Sequence, residues 1–544
     1  MRINKKILLV TILLVAAVLR IYKLGANPPH LTPDEAALGY NAYSILKTGR
    51  DEYDELLPIV FKSFGDYKPG LYVYLTVPSV AVFGLTEFAV RLPSALMGVL
   101  AVYLLYLIIK KLFHSLEIIA SLMLAISPWH IHFSRGAWEI NLSLTLALAG
   151  IYMFLLSLKN QKYLIWSAGL FGLTLLTYQG AKLSTAIVIL ILLALHLKKV
   201  LKFKRKVLFA AGLLGLTIAL PVILTLFSGR AGRLKVFSVF SYRRPAEYLQ
   251  TQLQQGGEKV GEVSYYLFHS ETLSIARGIL GRYFNHFSGR FLFFEGDWQN
   301  PRHSVPNHGV LLLADLVFLP FGIFYLIKNW KVKESKFIFL WLLLAPLPAA
   351  LSRDQVHAVR AYNMVIPFVV ISALGVVTIA KRLRVTGCAL VIFLIAGSLI
   401  YYLDSYFVHQ PKHNSQYWEY GYKQAVEVAV ANKDRYTKVH FRQSFAQPYI
   451  YYLFFTKYPP ADYQKQAHLI ESEYGDVGRV EQIDNIYFLP IDWTLNRGDS
   501  GTLFVADPVR IPPQDSNSEI EFEIVSEVKY LDGKSISQRV VGVK

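Results

Sequence analysis

Two adjacent carboxylates, Asp34 and Glu35, stand just after the first apolar run of the chain, in the setting TPDEAALGYNAYS. Thr32 can cap a helix there, Pro33 suits its first position, and both acids fall in its first turn. Placement against the helix dipole accounts for such acids without any function. A carboxylate at a membrane surface has a second use, as general base toward an acceptor hydroxyl.

Lys68 is the next candidate, in FGDYKPGLYVY (64–74), with Asp66 and Tyr67 beside it. A phosphate at headgroup depth needs a cation at that depth, and Asp66 either orients Lys68 or only pairs with it. The competing reading is a lysine that snorkels to the interface. Arg91 opens an apolar run, where arginine usually anchors a span. The acids Asp51, Glu52, Asp54 and Glu55 read as a solvated turn.

Three further clusters lie between later apolar runs. WHIHFSRGAW (129–138) holds His130 and His132, whose spacing sends them to different faces of a helix. Arg135 is the better candidate there, as an anion contact. FFEGDWQNPRHSVPNHG (293–309) crowds Glu295, Asp297, Arg302, His303 and His308 together. Acids with histidines can bind a metal. The preferred alternative is an orienting network around a sugar or phosphate, with Arg302 as anion ligand. SRDQVHAVRAY (352–362) places Arg353, His357 and Arg360 at the end of a run, where two arginines can clamp a phosphate or anchor a span.

Of the 544 residues, 53% are hydrophobic, and mean hydropathy is +0.36. A polytopic α-helical membrane protein follows. Runs at 7–24, 92–112, 116–133, 142–158, 163–178, 183–197, 207–227, 309–327, 337–351, 362–379 and 388–403 predict about 11 transmembrane helices. The net charge of +18 sits at the ends of these runs, which speaks for topology and not for nucleic acid. Basic loops alternate with the loops that hold the clusters. The N-terminus is therefore expected in the cytoplasm, with the clusters in outer loops, chiefly 25–91 and 228–308. Counting 71–88 as a span would break this alternation. It is expected to be an interfacial or re-entrant helix broken near Pro78, and 33–47 a second interfacial helix. A membrane domain over 1–403 would then be followed by an extracytoplasmic soluble α/β or α+β domain over 404–544, with a helix at 424–432 and strands at 438–441, 485–489, 502–506 and 520–525. The lone Cys388 allows no internal disulfide. Aromatic runs at 417–422 and 449–458 suit sugar stacking, core or membrane contact alike.

No Walker A, GxGxxG, GxSxG, HExxH or CxxC motif occurs. Charged residues are scarce within the runs, which disfavours a transporter. Surface chemistry at a multi-pass cell membrane fits better.

The DE pair in the first loop, YKPGLY, and RLPSAL leading into the second span resemble the GT-C superfamily of membrane glycosyltransferases. The nearest branch contains the dolichyl-phosphate-mannose protein mannosyltransferases and the bacterial aminoarabinose lipid A transferases. The resemblance is strong over 1–180, moderate at EGDWQNPRH and RDQVHAVRAY, and absent from the C-terminal domain. It implies a sugar moved, with inversion, from a polyprenyl-phosphate donor to a protein, lipid or glycan acceptor on the extracytoplasmic face. Asp34 would be the base and Glu35 its support. Lys68 matches the lysine of a KPP motif that binds the carrier phosphate, although Gly70 stands where that motif has its second proline. Arg302, Arg353 and Arg360 are further phosphate ligands by position. Asp66, Tyr67, Arg135, Glu295, Asp297, His303, His308 and His357 are expected to contact substrate. No metal or other cofactor is required, although a divalent cation is compatible. The alternatives are a glycan polymerase or ligase using a lipid diphosphate, and a flippase or transporter of lipid-linked sugars.

Overall fold

The computed structural model describes residues 4–227, 238–241, 243–471, 477–513 and 522–544. Every predicted apolar run coincides with helix. α1 (Lys5–Ile21), α2 (Pro33–Thr48), α3 (Leu71–Phe83), α4 (Glu87–Leu112), α5 (Glu117–Ala125), α6 (Pro128–Ser134), α7 (Glu139–Ser157), α8 (Tyr163–Leu175), α9 (Ala181–Val200) and α10 (Arg205–Phe227) follow in order. Proline 128 divides the predicted 116–133 run into α5 and α6. Among the described residues, five apolar stretches are long enough to cross a membrane: Glu87–Leu112, Glu139–Ser157, Ala181–Val200, Arg205–Leu224 and Tyr362–Trp418. The architecture is that of a multi-pass membrane protein.

α3 has 13 residues, too few to span, and it runs through Pro78 instead of breaking there. Between α2 and α3 a hairpin forms from β1 (Val60–Ser63) and β2 (Asp66–Pro69), which carries Lys68. Gly70 follows it. Its N–H donates to Ile59 O at 2.9 Å, and a Cβ there would meet the Phe61 ring at 2.2 Å. A proline at this position would lose that hydrogen bond and collide with Phe61, which accounts for KPG in place of KPP.

The helix Asp315–Lys328 crosses the long helix Val365–Asp404 with their backbones touching. A Cβ on Gly322 would fall 1.9 Å from Ile371 O, and one on Gly375 would fall 2.0 Å from Phe318 O. Small residues permit this approach, and dispersion then holds the pair. The long helix breaks at Arg384 (φ 53°). A Cβ on Gly387 would sit 2.7 Å from Ile379 O, eight residues back, so the chain reverses between the two predicted runs. The 228–308 loop carries the helices Ala246–Gly256 and Glu271–Asn285. Residues 228–237 and 242 lie outside the described part.

The C-terminal region builds a mixed sheet in the order β6-β7-β3-β8-β10-β9, from β3 (Lys438–Arg442), β6 (Gln482–Ile483), β7 (Ile486–Leu489), β8 (Thr502–Ala506), β9 (Phe522–Lys529) and β10 (Ile536–Val543). Central β3 runs parallel to β7 and β8. A separate pair, β4 (Leu469–Ile470) and β5 (Arg479–Val480), lies outside it. The predicted helix and the first three predicted strands are present, and the fourth, predicted over 520–525, falls on β9 from Phe522 onward, with 520 and 521 outside the described part; β6 and β10 are not among the predicted strands. The expected division at residue 404 does not separate two cores. Ala36, Ala37 and Tyr40 of α2 share one apolar core with Tyr449–Phe454 and with Val439 and Phe441 of β3. The 449–458 aromatic run is thus core.

Candidate active site

α2 points its two acids in opposite directions. Thr32 caps the helix, its Oγ1 accepting from Glu35 N, and Glu35 Oε2 returns an acceptor to Thr32 N at 3.0 Å. This capping box turns Glu35 inward. There Arg91 donates through Nε and Nη2 at 3.0 and 3.2 Å, and Ala137 N donates at 2.8 Å. Arg91 also reaches Leu24 O, Pro28 O and His30 O. Glu35 is buried and its carboxylate is engaged by Thr32, Arg91 and Ala137, which holds the head of α2 in place. Arg91 is the clamp that holds it, a role beyond anchoring.

Asp34, one residue earlier, is half exposed and forms an ion pair with the buried Lys68. Lys68 also lies over the Phe64 ring, 5.3 Å from its centroid. Asp66 is buried beneath the hairpin, and Tyr67 O accepts from Gln179 at 2.6 Å, tying β2 to the α8–α9 connection.

Of the acids after α2, Asp54 and Glu55 are exposed as a solvated turn requires, but Asp51 and Glu52 are buried. Asp51 Oδ1 accepts from Tyr53 N and Glu55 N at 2.9 and 3.0 Å, closing the turn. Glu52 is fully buried, with Oε1 accepting from Asn41 at 2.9 Å and Oε2 without a partner. Burial pushes its carboxyl up to about 8, opposed by Asn41 and Lys68.

A second cluster gathers Asp297, His303, His357, Arg302 and Arg360. Asp297 Oδ2 accepts from His303 Nδ1 at 3.0 Å and from Ala358 N at 2.8 Å. Its Oδ1 accepts from Asn300 N and Nδ2, both at 3.1 Å. The His303 and His357 rings lie 5.0 Å apart. Burial, and then the charge of Arg360, hold His357 well below the usual histidine range; His303 is lowered by burial against the pull of Asp297. Both imidazoles stand beside the guanidiniums of Arg302 and Arg360. Ligand atoms of Asp297, His303 and His357 come within 4.8 Å of one another, so this is where a cation could sit. The carboxylate already accepts four hydrogen bonds, and this donor set suits orientation of His303 better than first-rank metal ligation.

Within the second cluster Arg360 also pairs with Asp354 at 2.6 Å, and Arg353 stands 3.8 Å from the same acid. The remaining candidates fall elsewhere. Glu295 pairs with Arg290 at 2.6 Å on the surface. His308 bonds Gly309 O and packs on Tyr401 and Tyr402. Arg135 is fully buried and spends its donors on Leu19 O, Tyr22 O, Asn27 O and Tyr406, which places it as a structural clamp and not as an anion contact.

An aromatic wall joins the two clusters. Arg91 lies over Trp418 at 5.9 Å, Trp418 is 6.2 Å from Trp138, and Trp138 is 5.3 Å from His303. A half-exposed carboxylate beside a sheltered lysine can take a proton and hold a phosphate.

A family model described as dolichyl-phosphate-mannose-protein mannosyltransferase matches residues 67–224, from the hairpin through most of α10. No curated protein matches the chain by sequence. Among solved structures, apo ArnT from Cupriavidus metallidurans is 11% identical, with a TM-score of 0.56 over 98% of this chain and 97% of its own. The same protein bound to undecaprenyl phosphate gives 0.54 over the same shares. The Archaeoglobus fulgidus oligosaccharyltransferase in complex with zinc and sulfate is 13% identical, with a TM-score of 0.50 over 82% of this chain. The chain spans only 61% of that protein's length. The fold is shared with ArnT, and the family-model match over residues 67–224 supports a resemblance to the GT-C membrane glycosyltransferases on the side of the dolichyl-phosphate-mannose-protein mannosyltransferases.

Proposed function

We propose that the protein transfers a sugar from a polyprenyl-phosphate donor to an acceptor on the extracytoplasmic face, with inversion. The observation that carries this reading is the pairing of half-exposed Asp34 with buried Lys68 at the head of α2. The donor phosphate competes with Asp34 for Lys68. Once the phosphate holds that cation, Asp34 loses its countercharge and becomes a better base. It takes the proton of an acceptor hydroxyl or amine. The nucleophile attacks the anomeric carbon from the face opposite the phosphate, the bond from that carbon to the phosphate oxygen breaks, and the carrier phosphate leaves with its electron pair. Lys68 and Arg302, with Arg360, hold the charge that develops on it. Phosphate is a fair leaving group, so one base and these cations suffice without a metal.

Binding of undecaprenyl phosphate by the similarly folded ArnT supports the choice of carrier. The reading also places the N-terminus in the cytoplasm, residues 404–544 outside as an acceptor-facing or capping part, and about 11 spans between. Purified protein offered a panel of polyprenyl-phosphate sugars, with products identified by mass spectrometry, tests it. Wild type should give a glycosylated acceptor and free polyprenyl phosphate, and Asp34→Asn should give neither while still binding the carrier. Full transfer by Asp34→Asn overturns the assignment.

A further inference from the structure

Glu419 lies in the turn between the last apolar helix and the C-terminal sheet, and nothing above uses it. It is the acid in YWEYGY, and it adopts the left-handed conformation (φ 54°, ψ 32°) that a non-glycine residue occupies at a cost. The turn before it is bolted to the Arg302 segment: Asn414 Nδ2 donates to Pro301 O at 3.0 Å and to Ser304 O at 3.5 Å. On its other side the turn meets the approach to α2. Tyr420 lies 6.4 Å from the His30 ring, and Tyr451 lies 5.0 Å from it while its hydroxyl donates to Leu31 O at 2.9 Å. Glu419 therefore sits where the Arg302 cluster and the segment leading to Asp34 converge.

The surroundings are those of a binding group. Glu419 is partly buried yet accepts no hydrogen bond from any described residue. Arg302 is the cation within electrostatic reach, and Tyr422, Tyr451 and Tyr530 stand around it. Tyr422 and Tyr451 are stacked, with centroids 5.0 Å apart. Burial raises the Glu419 carboxyl to about 7, with Arg302 opposing. The other buried acids of this region, Glu35 and Asp297, are saturated by protein donors, and Glu419 is not.

We infer that Glu419 recognises the hydroxyl groups of the donor sugar, next to Arg302 on the phosphate that carries it. This rests on the proposed transferase reading and extends it. A carboxylate accepts from sugar hydroxyls with charge-assisted hydrogen bonds, which discriminate sugars by hydroxyl position. Arg302 and Glu419, held by one pair of interlocked turns, would then read the phosphate and the sugar as a single rigid unit.

The test is binding without acceptor, so that the donor is not consumed. Affinities of full-length wild type and Glu419→Gln are measured for bare polyprenyl phosphate and for polyprenyl-phosphate sugars. Glu419→Gln should lower affinity for the sugar-bearing lipid about 10- to 100-fold and leave bare polyprenyl phosphate unchanged. Thermal unfolding of the variant, equal to wild type, excludes misfolding as the cause. Equal loss for both lipids, or no loss for either, overturns the inference, as does a defect confined to the KM of the acceptor. Because this readout needs no turnover, it stands apart from the transfer assay: wild type that binds donor but transfers nothing sinks the transferase reading alone.

Discussion

Arg91 and Glu35, 56 positions apart, meet through two hydrogen bonds of 3.0 and 3.2 Å in the buried joint between α2 and α4. The consequence is mechanical. The carboxylate that faces the site is held by the one that does not. Removing a single partner from a buried, hydrogen-bonded ion pair leaves an uncompensated charge. Arg91→Met should therefore cost about 3–5 kcal/mol of stability, seen as a lower thermal midpoint in detergent. An unchanged midpoint would mean that α2 is held by its apolar face alone.

Asp34 and Lys68 should separate kinetically. Asp34→Asn removes the base and should lower kcat about 10²–10⁴-fold, with carrier binding retained. Lys68→Met removes a phosphate ligand and should chiefly raise the KM for donor. Steady-state kinetics on both variants decide this, and the assignment of roles is wrong if the two effects are exchanged.

The helices were legible because span-length apolar runs have few other uses, and α3, which the loop parity argued against as a span, has 13 residues. The sheltered, aromatic setting of Lys68 was legible from Pro69 and its neighbours. What stayed hidden depends on partners far along the chain. Nothing local to Glu35 announces Arg91. Arg135 looks like an anion contact until Leu19, Tyr22 and Asn27 close around it. Asp51 and Glu52 look solvated because acids in a row usually are, and they are covered by the helices Pro448–Thr456 and Pro460–Gln466, which come from far downstream and pack on α2, Gln464 donating to Asp51 O. Glu419 could have been noticed as the lone acid in an aromatic run, but its nearness to Arg302 is a tertiary fact.

Asp297 holds the second cluster together. Asp297→Ala strands the Nδ1–H of His303 and the N–H groups of Ala358 and Asn300, at about 1–3 kcal/mol for each buried donor. A clear loss of thermal stability is expected, with a lower rate as His303 loses its orientation. Since the carboxylate serves these donors, exhaustive dialysis against EDTA should leave the transfer rate of wild type unchanged. Loss of activity restored by one divalent cation would instead make Asp297, His303 and His357 its ligands.

Glu52 makes stability depend on pH in a particular direction. Its ordinary value is 4.5, and burial raises it to about 8 in the folded protein. Between these values the folded state keeps a proton that the unfolded state has lost, so stability falls as pH rises. The contribution is full below about pH 4.5 and is lost by the time pH passes about 8. Glu52→Gln keeps an oxygen to accept from Asn41 and carries no charge. The variant should therefore gain on wild type toward alkaline pH, by a difference in thermal midpoint on the order of 5 °C between pH 5 and 8. Parallel midpoints for the two proteins across that range would show that Glu52 does not hold its proton in the fold, and would point to Lys68 as its countercharge.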